Sequence, residues 1–306
     1  MISQSWFANG KLLITGEYLV MDGAKALALP VNVGQYLSCK KAKESRLVWN
    51  ALKPDGTWFQ TIFSLPDLKI THTSNPQLSE RLKEILLKTR SLNKDFLLSE
   101  NGFDVETILE FDPEYGFGSS STLIANLAGW ADVDAFELQK ITFGGSGYDI
   151  ACANAKQPIL YQLIDGVPVV EPVSFNPPFK DQIYFVYLGN KKRSDESIKS
   201  FRKNNKYSPS SIDEFNTLTG QIIEATDIQT FERLMKVHEQ KMATILKTPT
   251  VQSLFFPDHI GVVKSLGAWG GDFVLMTTRM DEKDFHAYLQ KKGYPVVYKY
   301  SELIRS

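Results

Sequence analysis

The sequence predicts a two-domain α+β protein, and three observations support this prediction. The chain has 306 residues, of which 43% are hydrophobic and 23% charged, as expected for a soluble globular protein with a large core. At that length two domains are more common than one. A proline-rich passage at 165–179 separates a strand-rich first half from a second half in which strands and helices alternate. We therefore expect one domain over residues 1–176 and a second over residues 177–306.

The first half contains strands on either side of a short helix. Residues 11–40 alternate between apolar and polar side chains, which predicts strands broken by a turn at 21–24. The stretch 79–88, "SERLKEILLK", has leucine and isoleucine on one helical face and predicts a short helix. The stretch 101–111, "NGFDVETILEF", predicts a strand that leads directly into a glycine-serine loop.

The second half has a different pattern. Residues 183–189 predict a strand, and residues 211–226 and 228–247 predict two helices. The stretch 257–278 suggests a helix, a glycine turn and a strand. Residues 281–300 predict a last helix and a last strand. We find no internal repeat and no low-complexity tract in the sequence.

The glycine-serine loop lies in the stretch 112–130, "DPEYGFGSSSTLIANLAGW". It places Gly116, Gly118 and three serines in front of an amphipathic helix. The first amides of a helix have no partner within the helix and its dipole favours negative charge, so this pattern suits a bound anion. Serine is also among the best residues for capping a helix, so a helix start without chemistry fits as well. The pattern matches neither a Walker loop nor a hydrolase nucleophile elbow.

Composition excludes several classes of function. The formal net charge of −1 gives no electrostatic case for binding nucleic acid or an anionic membrane. No apolar run reaches the length of a signal peptide core or a membrane span. The two cysteines, Cys39 and Cys152, imply no disulfide framework, so we expect a cytoplasmic protein. The four histidines show no metal-ligand spacing, and nothing in the sequence indicates an oligomeric state.

Four segments, the second of which contains the glycine-serine loop, occur in this order along the chain: "NGKLLITGEYLVMDGAKALALPV" (9–31), "GFGSSSTLIANLA" (116–128), "GGSGYDIACA" (144–153) and "KSLGAWGGDF" (264–273). In this combination the chain resembles the GHMP kinases, the family of galactokinase, homoserine kinase, mevalonate kinase and phosphomevalonate kinase. The resemblance spans nearly the whole chain. Gly-Glu-Tyr in the first segment and Gly-Tyr-Asp in the third look most like the phosphomevalonate kinase branch.

The resemblance implies a fold and two cofactors, ATP and Mg²⁺. The first domain would be similar to domain 2 of ribosomal protein S5, the second would be ferredoxin-like, and ATP would lie between them. The residues expected to hold the phosphates of ATP are Gly116, Gly118, Ser119, Ser120 and Ser121. Ser120 matches the magnesium-binding serine of the family, and Glu137 is the only glutamate where many relatives have a second magnesium carboxylate. Asp132 and Asp134 compete for that role.

The resemblance also implies catalytic residues. Asp149 matches the aspartate that faces the acceptor, and Lys11 matches the lysine beside it. Further residues expected to line the substrate and nucleotide cleft are Glu17, Tyr18, Ser146, Gly147, Lys191, Arg193, Ser194, Gly267, Gly270 and Gly271. The basic run that contains Lys191 and Arg193 fits a solvated charge cluster equally well.

The expected function is an ATP-dependent kinase that phosphorylates a small molecule, phosphomevalonate or mevalonate. Phosphoryl transfer needs positioning and cancellation of charge more than covalent chemistry, and glycines, hydroxyls and a lysine supply both. The alternatives are a nucleotide- or metabolite-binding protein of the same fold without turnover, a kinase for a sugar or homoserine, and a hydrolase using a loop serine. Two departures from the family pattern are Asn9, where proline is usual, and Trp269, where a small residue is usual.

Overall fold

The computed structural model describes residues 3–98, 101–189, 199, 201–203, 207–269 and 271–305. It is a mixed α+β protein with a larger and a smaller β-sheet, as the sequence predicts. The strands are β1 (Ser3–Leu13), β2 (Ala26–Ala42), β3 (Arg46–Lys53), β4 (Gly56–Ser64), β5 (Lys69–Thr73), β6 (Gly102–Leu109), β7 (Ile159–Ile164), β8 (Val167–Pro172), β9 (Ile183–Tyr187), β10 (Val263–Ser265), β11 (Phe273–Thr277) and β12 (Val297–Lys299). The helices are α1 (Pro76–Leu92), α2 (Ser119–Ala131), α3 (Ala135–Thr142), α4 (Tyr148–Ala153), α5 (Pro209–Ile223), α6 (Ile228–Leu246), α7 (Val251–Phe255), α8 (Glu282–Lys291) and α9 (Tyr300–Leu303).

The chain forms two compact units that are discontinuous in sequence. Unit 1 consists of Met1–Gly10, Val33–Pro113 and Phe117–Asn154, and unit 2 of Lys11–Asn32, Glu114–Gly116 and Ala155–Ser306. These units divide β1 and β2 within continuous strands. The domain boundary expected between residues 176 and 177 stays a prediction.

In unit 1 a sheet with the strand order β5–β4–β3–β6–β2 carries α1, α2 and α3. The strand β3 alternates along its length and turns Leu47, Trp49 and Ala51 into the core. Trp49 lies opposite Val105 of the parallel neighbour β6. A side chain of this size, buried from water, contributes about 3 kcal/mol of hydrophobic stabilisation. The core therefore anchors the face of the sheet on which α2 lies.

The helix α1 shows how local sequence sets its ends. Pro76 occupies the first turn, where a missing amide proton costs nothing, and the Asn75 side chain accepts the Leu78 amide at 3.1 Å. At the other end, the Asn93 amide donates to the Thr89 carbonyl at 3.1 Å. The helix predicted over residues 79–88 is confirmed and is longer at both ends.

In unit 2 the smaller sheet has the order β10–β11–β9–β12, with antiparallel neighbours. Its apolar side chains pack against Phe285 and Leu289 of α8. The predicted strand at 183–189 and the predicted helices at 211–226 and 228–247 are confirmed by β9, α5 and α6.

One predicted element of unit 2 is wrong. Within 257–278 the sequence suggested a helix before the glycine turn, but the structure has the strand β10 there. Val263 pairs with Met276 of β11, and β-branched residues favour strands when a neighbouring strand is present. The pairing partner comes from beyond the glycine turn, so the local pattern does not determine this element.

Candidate functional site

The start of α2 keeps its backbone donors open. Gly118 is the capping residue with φ of +92°, and no side chain caps the first turn. The Ser121 hydroxyl and the Thr122 amide both donate back to the Gly118 carbonyl, at 2.9 and 3.0 Å. The Ser119 and Ser120 hydroxyls make no hydrogen bond to any residue that the structure describes. The first turn of α2 thus presents amides and hydroxyls suited to an anion.

Buried hydrogen bonds fix this helix start against β2. The Thr122 hydroxyl donates to the Gln35 side chain at 2.9 Å, and the Asn126 side chain donates to the Gln35 carbonyl at 2.8 Å. All three residues are buried. Sequence reasoning missed Gln35, because nothing in its local pattern indicates a contact almost ninety residues away. The donors of the first turn are therefore held on the sheet rather than on a mobile loop.

Gly116 lies in the part of the loop that belongs to unit 2. Its φ is +69°, and a Cβ placed on it would lie 2.4 Å from the Asp272 carboxylate. The Lys11 Nζ donates to the Gly116 carbonyl at 2.9 Å. A side chain here would have to displace the Asp272 carboxylate and adopt a left-handed backbone angle, so the position favours glycine. Asp272 is a second residue that the sequence analysis missed.

Asp149 lies in the first turn of α4, which begins after a glycine-rich loop. Gly144, Gly145 and Gly147 all have positive φ, and Gly147 is the capping residue of α4. The Gln139 side chain of α3 donates to the Gly144 carbonyl at 3.0 Å and fixes the loop at its start. The expected site residues Ser146 and Gly147 thus form the turn that delivers Asp149, which is half-buried.

Small residues let the two site helices approach each other. Ala125 of α2 and Ala153 of α4 share a buried cluster with Ala8 of β1. The Asn9 side chain donates to the Ala153 carbonyl at 3.2 Å, so the asparagine that replaces the usual proline closes the end of α4. Within unit 1 the open helix start and the helix that carries Asp149 are therefore packed together.

Several solved structures have a fold similar to that of this chain. Mevalonate kinase of Methanococcus jannaschii is similar with a TM-score of 0.72 and 16% identity, over 97% of each chain. Phosphomevalonate kinase of Streptococcus pneumoniae, solved with phosphomevalonate and AMPPNP, has a TM-score of 0.69 and 17% identity, over 98% of this chain and 100% of that one. Galactokinase of Lactococcus lactis, solved with galactose, has a TM-score of 0.67 and 13% identity, over 99% and 93%. The chain has the fold of the GHMP kinases.

At these identities the likeness concerns the fold. No model of a protein family matches the sequence, and no curated protein sequence matches it. The α+β GHMP-kinase fold expected from the four segments is confirmed. None of the helices in the described part of the chain is both long and apolar enough to cross a membrane.

Most of the first of the four segments (9–31) and all of the fourth (264–273) belong to unit 2. Glu17, expected in the cleft, is 1% exposed and forms an ion pair with Lys264. Burial raises the pKa of Glu17 above its usual range, and the lysine charge opposes this. Tyr18 has φ of +61°, its ring stacks on Phe201 with centroids 4.7 Å apart, and its hydroxyl accepts the Trp269 amide at 3.2 Å.

The remaining expected residues of the GHMP-kinase pattern divide into two groups. Gly267 has φ of +62°, and the Gly271 amide donates to the Ala268 carbonyl at 3.3 Å, so both form part of a tight turn after β10. Four residues lie outside the described residues: Lys191, Arg193, Ser194 and Gly270. Trp269 itself is buried in a cluster with Leu19, Phe215 and Met242.

Two exposed residues, Ser120 and Glu137, are expected to bind the magnesium of a GHMP kinase. The Ser120 hydroxyl is exposed on the first turn of α2. Glu137 is exposed on α3, with its carboxylate 3.7 Å from Lys140, and so the geometry gives it a surface ion pair. No group of three histidine, cysteine or acidic side chains suited to a metal ion occurs within the described ranges. The assignments of Ser120 and Glu137 as magnesium ligands both stay predictions.

Proposed function

We propose that the protein is an ATP-dependent kinase that transfers the γ-phosphoryl group to phosphomevalonate or mevalonate. The observation that carries the proposal is the open first turn of α2, which follows Gly116 and Gly118 in a GHMP-kinase fold. Backbone amides that are already fixed bind a polyphosphate without reorganisation during the reaction. The order of the four sequence segments supports the same conclusion.

Each proposed residue has a chemical task. The amides and hydroxyls of Gly118, Ser119, Ser120 and Ser121 hold the phosphates, and Lys11 provides a fixed positive charge beside Gly116. A magnesium ion held by Ser120 would supply further charge neutralisation on the phosphate oxygens. These parts stabilise a transferring group that carries negative charge on several oxygens.

The task of Asp149 depends on the acceptor. A hydroxyl acceptor must lose a proton, and an ionised Asp149 in reach of it acts as the base. A phosphate acceptor has a second pKa of about 6 and is already an anionic nucleophile near pH 7. In that case Asp149 orients the acceptor rather than removing a proton.

A second candidate is a nucleotide-binding protein without turnover. One observation favours it: the Trp269 amide, in the turn where the family usually has a small residue, is bonded to the Tyr18 hydroxyl rather than open to a ligand. Such a protein would bind nucleotide and release no ADP.

A coupled ADP-release assay separates these candidates. The purified chain is incubated with ATP, Mg²⁺ and one acceptor at a time: mevalonate, phosphomevalonate, galactose or homoserine. We expect acceptor-dependent ADP release with one of the first two. Release with galactose or homoserine would reassign the acceptor, and nucleotide binding without release for any acceptor would favour the second candidate.

A further inference from the structure

Unit 2 contains an ion pair that is shielded from water. The Lys264 Nζ of β10 donates to the Glu17 Oε1, and their side chains are 0% and 1% exposed. A charged pair at this depth gives little stability over an apolar pair of the same size, but the loss of one partner leaves an uncompensated buried charge. What the pair does provide is a fixed distance between two chain segments, the turn after β1 and the end of β10.

A histidine from α6, His238, binds the backbone of the turn after β1. The His238 Nε2 accepts the Gly16 amide at 3.3 Å and lies 3.6 Å from the Glu17 Oε2. Burial lowers the pKa of His238 well below its usual range, so the ring is neutral, and the bond from Gly16 assigns its proton to Nδ1. The turn after β1 is therefore held at two points. His238 accepts the backbone amide of Gly16, and Lys264 bonds to the side chain of Glu17.

The same network also holds the end of β10. The Lys264 Nζ donates to the Ser265 carbonyl at 2.9 Å. The Glu239 carboxylate of α6 accepts the Ser265 amide and the Ser265 hydroxyl, each at 3.2 Å. The Ser265 carbonyl and amide are thus both bonded to buried polar side chains, those of Lys264 and Glu239, which fixes the direction in which the chain leaves the strand.

The turn that follows β10 has open donors. Within the described part of the chain, the Gly267 and Ala268 amides make no hydrogen bond. The next amide, that of Trp269, is bonded to Tyr18, the neighbour of Glu17 in sequence. Two consecutive residues, Glu17 and Tyr18, therefore hold this turn at both sides of its open amides.

The buried side chains themselves cannot touch a ligand. Glu17, Lys264, His238 and Glu239 are each at most 2% exposed, so a role in the reaction must act through the segments that they hold. Since amides bind phosphate only when they point at it together, an error of about 1 Å in their placement can cost up to 100-fold.

We propose that Glu17 and Lys264 are positioning residues for nucleotide binding, and that their buried pair sets the turn whose Gly267 and Ala268 amides receive phosphate oxygens of ATP. This inference rests on the proposed function. It differs from the expectation that Glu17 contacts nucleotide or acceptor directly, because the carboxylate acts from the interior through Lys264.

The test compares nucleotide affinity with stability in matched variants of the full chain. The variants are Glu17→Gln, Lys264→Met and the two combined, and AMPPNP binding with Mg²⁺ is measured by calorimetry alongside thermal unfolding. The double variant carries no uncompensated buried charge, so we expect it to fold with a melting temperature close to that of the wild type. Its affinity for AMPPNP should still fall at least about tenfold, since the turn has lost its anchor.

Steady-state kinetics give a second readout that stability alone does not change. In the double variant the KM for ATP should rise at least about tenfold, while the KM for the acceptor stays within about twofold. Glu232→Gln is the matched control, since Glu232 accepts hydrogen bonds in the same unit from Thr277 and Arg279, which lie at the end of β11 away from the turn. That variant should lower the melting temperature without a change in affinity for AMPPNP.

The outcomes separate the two proposals. If the wild type binds AMPPNP and the double variant binds it equally well, the positioning role is wrong and the kinase proposal stands. If the wild type binds no AMPPNP, both are overturned. If Lys264→Met alone does not fold, the double variant still tests whether nucleotide binding by the turn after β10 depends on the buried pair.

Discussion

Asn9 on β1 donates its side-chain amide to the Ala153 carbonyl, the last residue of α4, at 3.2 Å. The carbonyls at a helix end lack partners within the helix, and this bond supplies one from a strand 144 residues away. The helix so closed is the one that carries Asp149 near its start. A short helix of this kind depends on such contacts, because six residues form few internal bonds.

Replacing Asn9 tests that relationship. Asn9→Ala removes a buried donor and leaves the Ala153 carbonyl unsatisfied, which should lower the free energy of unfolding by about 1–3 kcal/mol. Asn9→Asp should cost more, because a carboxylate cannot donate and lies at the negative end of the helix dipole. Urea denaturation of the three proteins measures both effects. Equal stability of Asn9→Asp and the wild type would contradict the bond.

Asp149→Asn tests the proposed catalytic carboxylate. The amide keeps the size of the side chain and removes its charge, so we expect kcat to fall at least about tenfold while the affinity for ATP is preserved. The ADP-release assay and calorimetry measure the two quantities. Asp165→Asn is the control, since Asp165 is exposed between β7 and β8 and has a φ of +52° that asparagine accepts. Turnover equal to the wild type in Asp149→Asn would remove this residue from the mechanism.

Ser120→Ala tests the proposed magnesium ligand. We expect the loss of one oxygen ligand to weaken magnesium binding by about 1 kcal/mol, which raises the Mg²⁺ concentration at half-maximal activity by about fivefold. Ser91→Ala, on the exposed side of α1, provides a serine control in the same unit. A magnesium titration that is the same for all three proteins would count against Ser120 as a ligand.

Much of the fold could be predicted from local pattern. The apolar spacing after the glycine-serine loop predicts α2 with one buried face formed by five residues: Leu123, Ile124, Leu127, Ala128 and Ala131. The last four are buried, and Leu123 is partly buried. The strand β10 could not be predicted in this way, because its conformation depends on pairing with β11 rather than on its own periodicity. Periodicity identifies elements with one buried face and fails for short segments defined by a distant partner.

In the candidate site, too, some features could be predicted from the local sequence and others depend on residues far away in the chain. Glycine and serine around the start of α2 carry a local signal, and the structure places them at an open helix end. The pairing of Glu17 with Lys264 joins residues 247 apart, and that of Gly16 with His238 joins residues 222 apart, so no local spacing announces either. His238 is buried on α6, and its bond to Gly16 is not indicated by the local sequence.

Gly116→Ala should abolish nucleotide binding by a steric route. The new Cβ would lie 2.4 Å from the Asp272 carboxylate, and the φ of +69° adds strain of about 1 kcal/mol. Gly293→Ala is the matched control, because Gly293 has a φ of +88° and no atom within 4 Å of the added carbon. We expect the control to lose only a little stability and to keep its affinity for AMPPNP. Equal affinity in both variants would show that the loop tolerates a side chain.

The last prediction concerns pH and the buried Glu239. Burial is the largest cause that raises the pKa of Glu239, which lies at about 7 instead of 4.5; the nearby Glu17 also raises it, and the charge of Lys264 lowers it. The folded protein therefore keeps this proton to a higher pH than the unfolded chain does. Stability from this group is fully present below about pH 4.5 and is lost as the pH rises towards 7.

Glu239→Gln removes the titration and keeps an acceptor for Ser265. Between about pH 4.5 and 8 the free energy of unfolding of the wild type should fall by about 3 kcal/mol more than that of the variant. His238 works in the opposite direction, since its lowered pKa costs stability as the pH falls below 6.5, but it is present in both proteins and cancels in the difference. Urea denaturation across this range gives the two profiles. Parallel profiles would mean that Glu239 is ionised in the folded protein throughout, and that its carboxylate is stabilised by more than the contacts to Ser265, Val251 and Lys264.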